Sequence, residues 1–196
     1  MATNPMPTYS PDDLFDLPHP PGVIGYELVD GIPVEVTPVG LAHGVIAGEI
    51  HGRIRDHLKH HRVGGRVGVE IGYVLGLSRD PRRTRAPDVS FISNARLQRS
   101  GKSARGFVLG VPDLAVEVES AERPKKLQQR IQDYLDAGTP LVWVIHSETN
   151  AATVYRHDRS ARLLVESDVL DGEDVLPGLQ IPLRELFDDS AEPGLE

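Results

Sequence analysis

The chain has 196 residues, 39% hydrophobic and 26% charged, a balance that fits one globular domain and argues against disorder or two large domains. It has no cysteine, which excludes disulfides and thiolate metal sites and makes a reducing cytoplasm the expected compartment. The net charge of −8 excludes a uniformly basic chain, yet it is unevenly spread: residues 1–42 hold six acids and no Lys or Arg, residues 43–130 hold 17 Lys and Arg against nine acids, and residues 131–196 hold four against fourteen. A basic middle between acidic ends fits a polyanion on one face; it also fits charges that cluster by chance on a solvated surface. No apolar run reaches the roughly 18 residues of a membrane span, and the first residues lack the basic-then-apolar pattern of a secretory signal.

Residues 1–24, rich in Pro, Asp and Ser, read as an irregular arm with a short helical turn near Asp12–Leu17. Two strand-like runs, Tyr26–Val29 and Ile32–Val36, flank Asp30-Gly31, the signal of a tight hairpin. Val45, Ile46, Ile50, Ile54 and Leu58 predict a helix over 43–60. His57 and His61 could share a face at its end and bind a metal, but positive groups there complement the helix dipole, which favours a structural role. After Gly64-Gly65, Arg66–Leu75 reads as a strand containing Glu70. Residues 78–85 read as a basic loop, Ala86–Ile92 as a second strand, and 94–106 as a polar, basic connection.

Asp113–Glu119 reads as a third strand, with Leu114, Val116 and Val118 on one face and Asp113, Ala115, Glu117 and Glu119 on the other. Pro124 opens a helix whose stripe is Leu127, Ile131, Tyr134 and Leu135, ended by Gly138 and Pro140. Leu141–Ile145 is a continuous apolar run, expected as a central strand covered on both faces. A hairpin over 153–166 and the segment Leu176–Phe187 close the domain. The order predicts an α/β (α+β) fold: a mixed sheet flanked by helices, with extra hairpins toward each end.

Two Pro-Asp pairs, Pro87-Asp88 and Pro112-Asp113, stand at strand starts, and the second strand carries Glu117. Carboxylates on a packed strand are costly unless compensated. One compensation is a hard divalent cation, held by Asp88 and Glu117 and completed by the Val118 carbonyl; the other is pairing with Arg85 and Lys126 or exposure at strand ends. Lys126 and Arg130, four apart on the next helix, could point over the carboxylates and stabilise a phosphate, or be edge charges. Glu70 is a further candidate ligand, or a solvent-facing strand acid. Arg82, Arg83 and Arg85 in one basic loop, with Lys102 and Arg105 in the other, are expected to hold a nucleic-acid backbone. The sequence lacks the His-Glu-x-x-His, the full Gly-x-x-x-x-Gly-Lys-Ser/Thr phosphate-loop and the Gly-x-Ser-x-Gly signatures, so zinc proteases, nucleoside triphosphatases and serine hydrolases gain no support.

Seven stretches in this order (YELVDGIPVEV, the helix-opening His43, GRVGVEIGYVL, RAPDVSFI, GFVLGVPDLAVEVES, DYLDAGTPLVWVIH and LPGLQIPLRELF) resemble the Uma-two family, a bacterial group of proposed endonucleases assigned to the PD-(D/E)xK fold. The resemblance runs from about Tyr26 to Phe187. It implies a restriction-endonuclease-like core in which Asp88 is the aspartate of the PD element and Glu117 the acid of the second element, with Glu70 before them and Glu27 and His43 near the site. The lysine departs from the pattern. Its usual place is taken by Glu119, and the family's alternative place on the following helix by Arg130, with Lys126 one turn earlier. Arginine keeps the charge but cannot act as a deprotonated base.

The sequence therefore predicts an arm over 1–24, a nuclease-like domain over 25–188 and an acidic tail over 189–196. Its expected activity is Mg2+- or Mn2+-dependent hydrolysis of DNA, with RNA as the alternative substrate and a homodimer as the expected assembly. The competing expectation is a degenerate module that binds nucleic acid or a protein partner without cutting.

Overall fold

The computed structural model describes residues 9–119 and 124–187, with no side-chain account of Pro124 and Lys125. The first eight residues of the expected arm and the acidic tail lie outside the described residues.

A 3-10 turn at Asp12–Asp16 precedes the hairpin of β1 (Gly25–Val29) and β2 (Ile32–Val36). Its two turn residues, Asp30 at φ 52° and Gly31 at φ 74°, both take the left-handed conformation that suits a tight hairpin turn. Then follow α1 (Leu41–His60), β3 (Gly65–Val69), β4 (Tyr73–Val74), β5 (Thr84–Arg85), β6 (Val89–Ser93), α2 (Asn94–Arg99), β7 (Gly101–Lys102), β8 (Val108–Leu109) and β9 (Leu114–Val118). The chain continues through α3 (Pro124–Ala137), β10 (Leu141–His146), β11 (Ala151–Arg156), β12 (Ala161–Leu164), β13 (Val169–Asp171), β14 (Gln180–Pro182) and α4 (Arg184–Phe187).

The main sheet has six strands in the order β12-β11-β10-β9-β6-β3. Its neighbours run antiparallel except β9 and β10, which are parallel and joined by α3 in a crossover. A smaller sheet, β5-β4-β8-β7, packs beside it. The expected 153–166 hairpin is the β11–β12 edge of the main sheet, and a separate hairpin, β13–β14, follows it.

The strand parity of β9 organises the core. Leu114, Val116 and Val118 join Ile46, Ile50 and Ile54 of α1 and the β13–β14 region on one face. Ala115 turns to the other face, against Tyr134 of α3, Val142 of β10 and Tyr73 of the small sheet. Each fully buried Ile or Leu here contributes about 1.5–3 kcal/mol of transfer free energy. With both faces covered, all five β9 residues are buried, Glu117 included. At the end of α3, Gly138 (φ 92°) lets the chain turn back, and the Thr139 N–H closes the helix on the Tyr134 carbonyl at 2.9 Å.

Two expectations are corrected. Arg66–Leu75 is not one strand: Glu70 sits at φ 49°, its N–H turns to the Pro87 carbonyl (3.1 Å), and the chain leaves the main sheet for the small one. The connection 94–106 is not featureless. Ser93 caps α2 by accepting the Arg96 N–H, and β7 pairs with β8.

Candidate active site

A cleft of about 810 Å³ opens beside the carboxylate end of β9. Its wall combines the arm, the β1–β2 hairpin, the start of α1, the Glu70 turn, residues 105–107 and the first turns of α3.

Asp88 stands just before β6. Antiparallel pairing of β6 with β9, Val89 against Val116, sets it beside Val118. The Val118 N–H donates to Asp88 Oδ2 at 2.7 Å, and His43 Nε2 lies 3.1 Å from Oδ1. Glu117 shares the parity of Ala115, so it faces α3. Arg130 Nε donates to its Oε2 at 2.9 Å and the Tyr134 hydroxyl to its Oε1 at 2.6 Å. Arg130 and Tyr134 meet one carboxylate because residues four apart share a helix face. The same guanidinium also donates to Glu27 Oε1 (2.6 Å) and to the Ala86 carbonyl (2.7 Å). Glu27 is completed by the Ala86 N–H (3.0 Å) and by Arg85 (2.7 Å).

The two buried acids respond oppositely. Burial pushes the Glu117 carboxyl up to about 7, with Asp88 adding to the rise and Arg130 opposing it. Burial also drives Glu27 upward, but Arg130 and Arg85 outweigh it and hold that carboxyl below its ordinary value. One guanidinium shared with another acid does not offset desolvation at Glu117; two guanidiniums and an amide do so at Glu27. For His43, burial favours the neutral ring, but the Asp88 contact and the nearby Glu117 and Glu70 charges prevail and raise its pKa. Burial and the Glu117 charge keep the Tyr134 hydroxyl protonated, as a donor must be.

Among the described residues no group of three or more His, Cys, Asp or Glu side chains is gathered to hold a metal ion. Asp88 and Glu117 are two oxygen donors, and each oxygen that accepts one hydrogen bond keeps a second lone pair. That set fits a hard ion such as Mg2+, which takes one or two carboxylates and keeps several waters, and does not fit a closed zinc site.

The other predicted residues separate. Glu70 is exposed on the cleft rim, near enough to act on His43 electrostatically. Lys126 is exposed at the cleft and makes no ion pair among the described residues. Glu119, at the usual lysine place, is tied to His146 Nδ1, whose Nε2 contacts the Thr153 hydroxyl at 2.9 Å. The second Pro-Asp pair is structural: Asp113 accepts from the Ser93 N–H (2.6 Å) and Arg96 Nε (2.7 Å). Arg83 and Arg85, expected to hold a nucleic-acid backbone, are 1% and 4% exposed. Arg83 pairs with Asp80, Asp30 and Asp133, and Arg85 with Glu27 and Asp133, so neither can reach a phosphate. Arg82 is half-buried, Lys102 is exposed, and Arg105 is held by Asp16.

A family model, Uma2, described as "putative restriction endonuclease", matches residues 11–184. The chain belongs to the Uma2 family. A crystal structure titled as a putative nuclease belonging to DUF820, from Anabaena variabilis, superposes with a TM-score of 0.72 over 91% of this chain and 97% of that one, at 21% identity. At that identity the likeness establishes the shared fold, a restriction-endonuclease-like α+β architecture. No match was found among curated proteins.

Two buried residues behind this Uma2 site, Tyr134 and Asp133, are not singled out by the sequence. Tyr134 reads in the sequence only as apolar stripe, although its hydroxyl needs a partner once buried. Asp133 is fully buried and receives Arg79, Arg83 and Arg85; an acid beside the apolar stripe of α3 was the available signal.

Proposed function

We propose that this Uma2 protein is a divalent-metal-dependent endonuclease that hydrolyses DNA phosphodiester bonds. The observation that carries the reading is the convergence of Asp88 and Glu117 on one cleft from adjacent strands, one fixed by the Val118 amide and the other by Arg130 and Tyr134. The nuclease descriptions of the family and of the structural neighbour support it.

Asp88 and Glu117 would hold Mg2+ or Mn2+, with the Val118 carbonyl and Glu70 as further candidate ligands. When bound, the ion supplies Lewis acidity toward a phosphate oxygen and makes water more acidic. The chain's own residues supply the rest. Arg130 favours the ionised Glu117 against the cost of burial, and the Tyr134 hydroxyl orients it. His43, whose protonated ring is favoured by Asp88, offers a hydrogen bond or a proton at the cleft wall. Lys126 meets the phosphate charge, since the Arg130 guanidinium is committed to Glu117, Glu27 and Ala86. A homodimer would offer one cleft to each strand of a duplex.

The test is incubation with supercoiled DNA, and in parallel with RNA, in Mg2+, Mn2+ or EDTA, beside Asp88→Ala and Glu117→Gln. Metal-dependent nicking lost in both variants supports the reading; no nicking under any metal condition sinks it. Two observations favour a second reading, a module that binds without cutting: the usual lysine position holds Glu119, and the Arg130 charge is already committed. Binding that survives both EDTA and Asp88→Ala, without cleavage, would select it.

A further inference from the structure

The arm carries an acid that is bound as a phosphate would be. Asp12 reaches across the chain to the loop 103–106. Its Oδ1 accepts the Ser103 hydroxyl at 2.6 Å and the Arg105 N–H at 3.2 Å, and its Oδ2 accepts the Ala104 N–H at 3.2 Å. The loop is shaped by its own bonds: Phe107 N–H to Ser103 Oγ (3.0 Å), Ser103 N–H to the Phe107 carbonyl (2.9 Å), and Gly106 at φ 107°. Two successive amides and a hydroxyl thus converge on one anion, the arrangement of a backbone nest.

The Arg105 guanidinium adds a charge beside it. It pairs with Asp16 at 2.5 Å and lies 5.0 Å over the Phe15 ring, whose edge meets Phe107. Phe15, Arg105 and Phe107 line the same cleft as Asp88 and Glu117. We propose that the loop 103–106 is a second anion site, which grips a backbone phosphate of the nucleic acid, and that Asp12 and Asp16 occupy it in the free protein. The arm is then an intramolecular competitor of the substrate. This rests on a nucleic-acid substrate but not on its cleavage.

Exchange at Arg105 is feasible because its pair with Asp16 is weakly held. Asp16 is 71% and Arg105 42% exposed at the side chain, so solvent and salt screen their pair. The buried pairs of Arg83 and Arg85 offer no such exchange. The arm also suits a competitor by charge, since no Lys or Arg occurs before residue 43.

The test is fluorescence anisotropy of a short labelled duplex with the full chain in EDTA, at about 50 and 200 mM salt. The variants are Asp12→Asn with Asp16→Asn, Asp16→Asn alone, Arg105→Ala, and the triple combination. The double variant should bind about three- to tenfold more tightly at low salt, with less gain at high salt. Asp16→Asn alone, which keeps the Asp12 tether, should move the same way by less. Arg105→Ala should bind more weakly, and the double change should gain less in its presence. Unchanged or weaker binding by the double variant, no binding by it, or an indifferent Arg105→Ala would each overturn the proposal. Because EDTA removes cleavage from the measurement, failure of the nuclease reading would show in the nicking assay alone.

Discussion

Replacing Arg130 by Met keeps much of the side-chain stem and removes three hydrogen-bond donations, to Glu117 at 2.9 Å, Glu27 at 2.6 Å and the Ala86 carbonyl at 2.7 Å. Glu27 retains Arg85 and the Ala86 N–H, but Glu117 is left with the Tyr134 hydroxyl and the nearby Asp88 charge. Losing one partner of a buried pair costs about 3–5 kcal/mol, mostly the penalty of the stranded charge. Arg130 is 18% exposed at the side chain, which lets some water in and favours the lower end, about 3 kcal/mol. For a chain of this length that is a fall in Tm of roughly 6–12 °C. The assay is urea unfolding at pH 8 in EDTA of wild type, Arg130→Met, Glu117→Gln and the double variant. The double variant should recover part of the loss, because a neutral amide needs no counter-charge. A loss within about 1 kcal/mol of wild type, or strict additivity of the two changes, would refute a desolvated, charge-coupled cluster.

The other predictions concern pH, the histidine and the arginines. Glu117 is raised in the folded state from 4.5 to about 7, so its contribution to stability is fully present below pH 4.5 and is lost as pH rises to about 7. The stability difference between wild type and Glu117→Gln in EDTA should fall by about 3 kcal/mol across that window, and a flat difference would count against the burial argument. Glu27, held low, has the opposite sign: its contribution is present above pH 4.5 and is lost as pH falls through its lower folded value. His43 should titrate above 6.5 by NMR in EDTA and drop in Asp88→Asn, where burial is less opposed; an unmoved midpoint would contradict the contact. Arg83→Ala should cost about 3–5 kcal/mol of stability and leave the salt dependence of DNA binding unchanged. Lys126→Ala should do the reverse, shallowing the log–log salt slope by about one; a swap of these outcomes would restore the basic-loop expectation.

The sequence made legible what depends on local periodicity and turn chemistry. The two-residue alternation of 113–119 correctly set Glu117 opposite Leu114, Val116 and Val118, and Asp30-Gly31 marked the hairpin because both turn residues need positive φ. The stripe of Ile46, Ile50 and Ile54 marked α1 in the same way. The break at Glu70 was hidden, since a glutamate does not advertise a left-handed conformation. The fate of Arg83 and Arg85 was hidden for a different reason. A local reading puts arginines beside Pro81 on the surface, whereas the acids that hold Arg85, Glu27 and Asp133, lie 58 and 48 residues away, and Arg83 shares Asp133. Tyr134 was hidden by its dual nature, an apolar ring in the stripe with a hydroxyl that serves Glu117.

Calorimetric titration of Mn2+ into wild type and Asp88→Asn, at a pH above 7 where Glu117 is ionised, tests the two-carboxylate centre most directly. One ion per chain in wild type, lost or strongly weakened in Asp88→Asn, is the predicted result. Equal binding in both proteins, or no binding in either, would contradict Asp88 and Glu117 as the metal ligands of a nuclease.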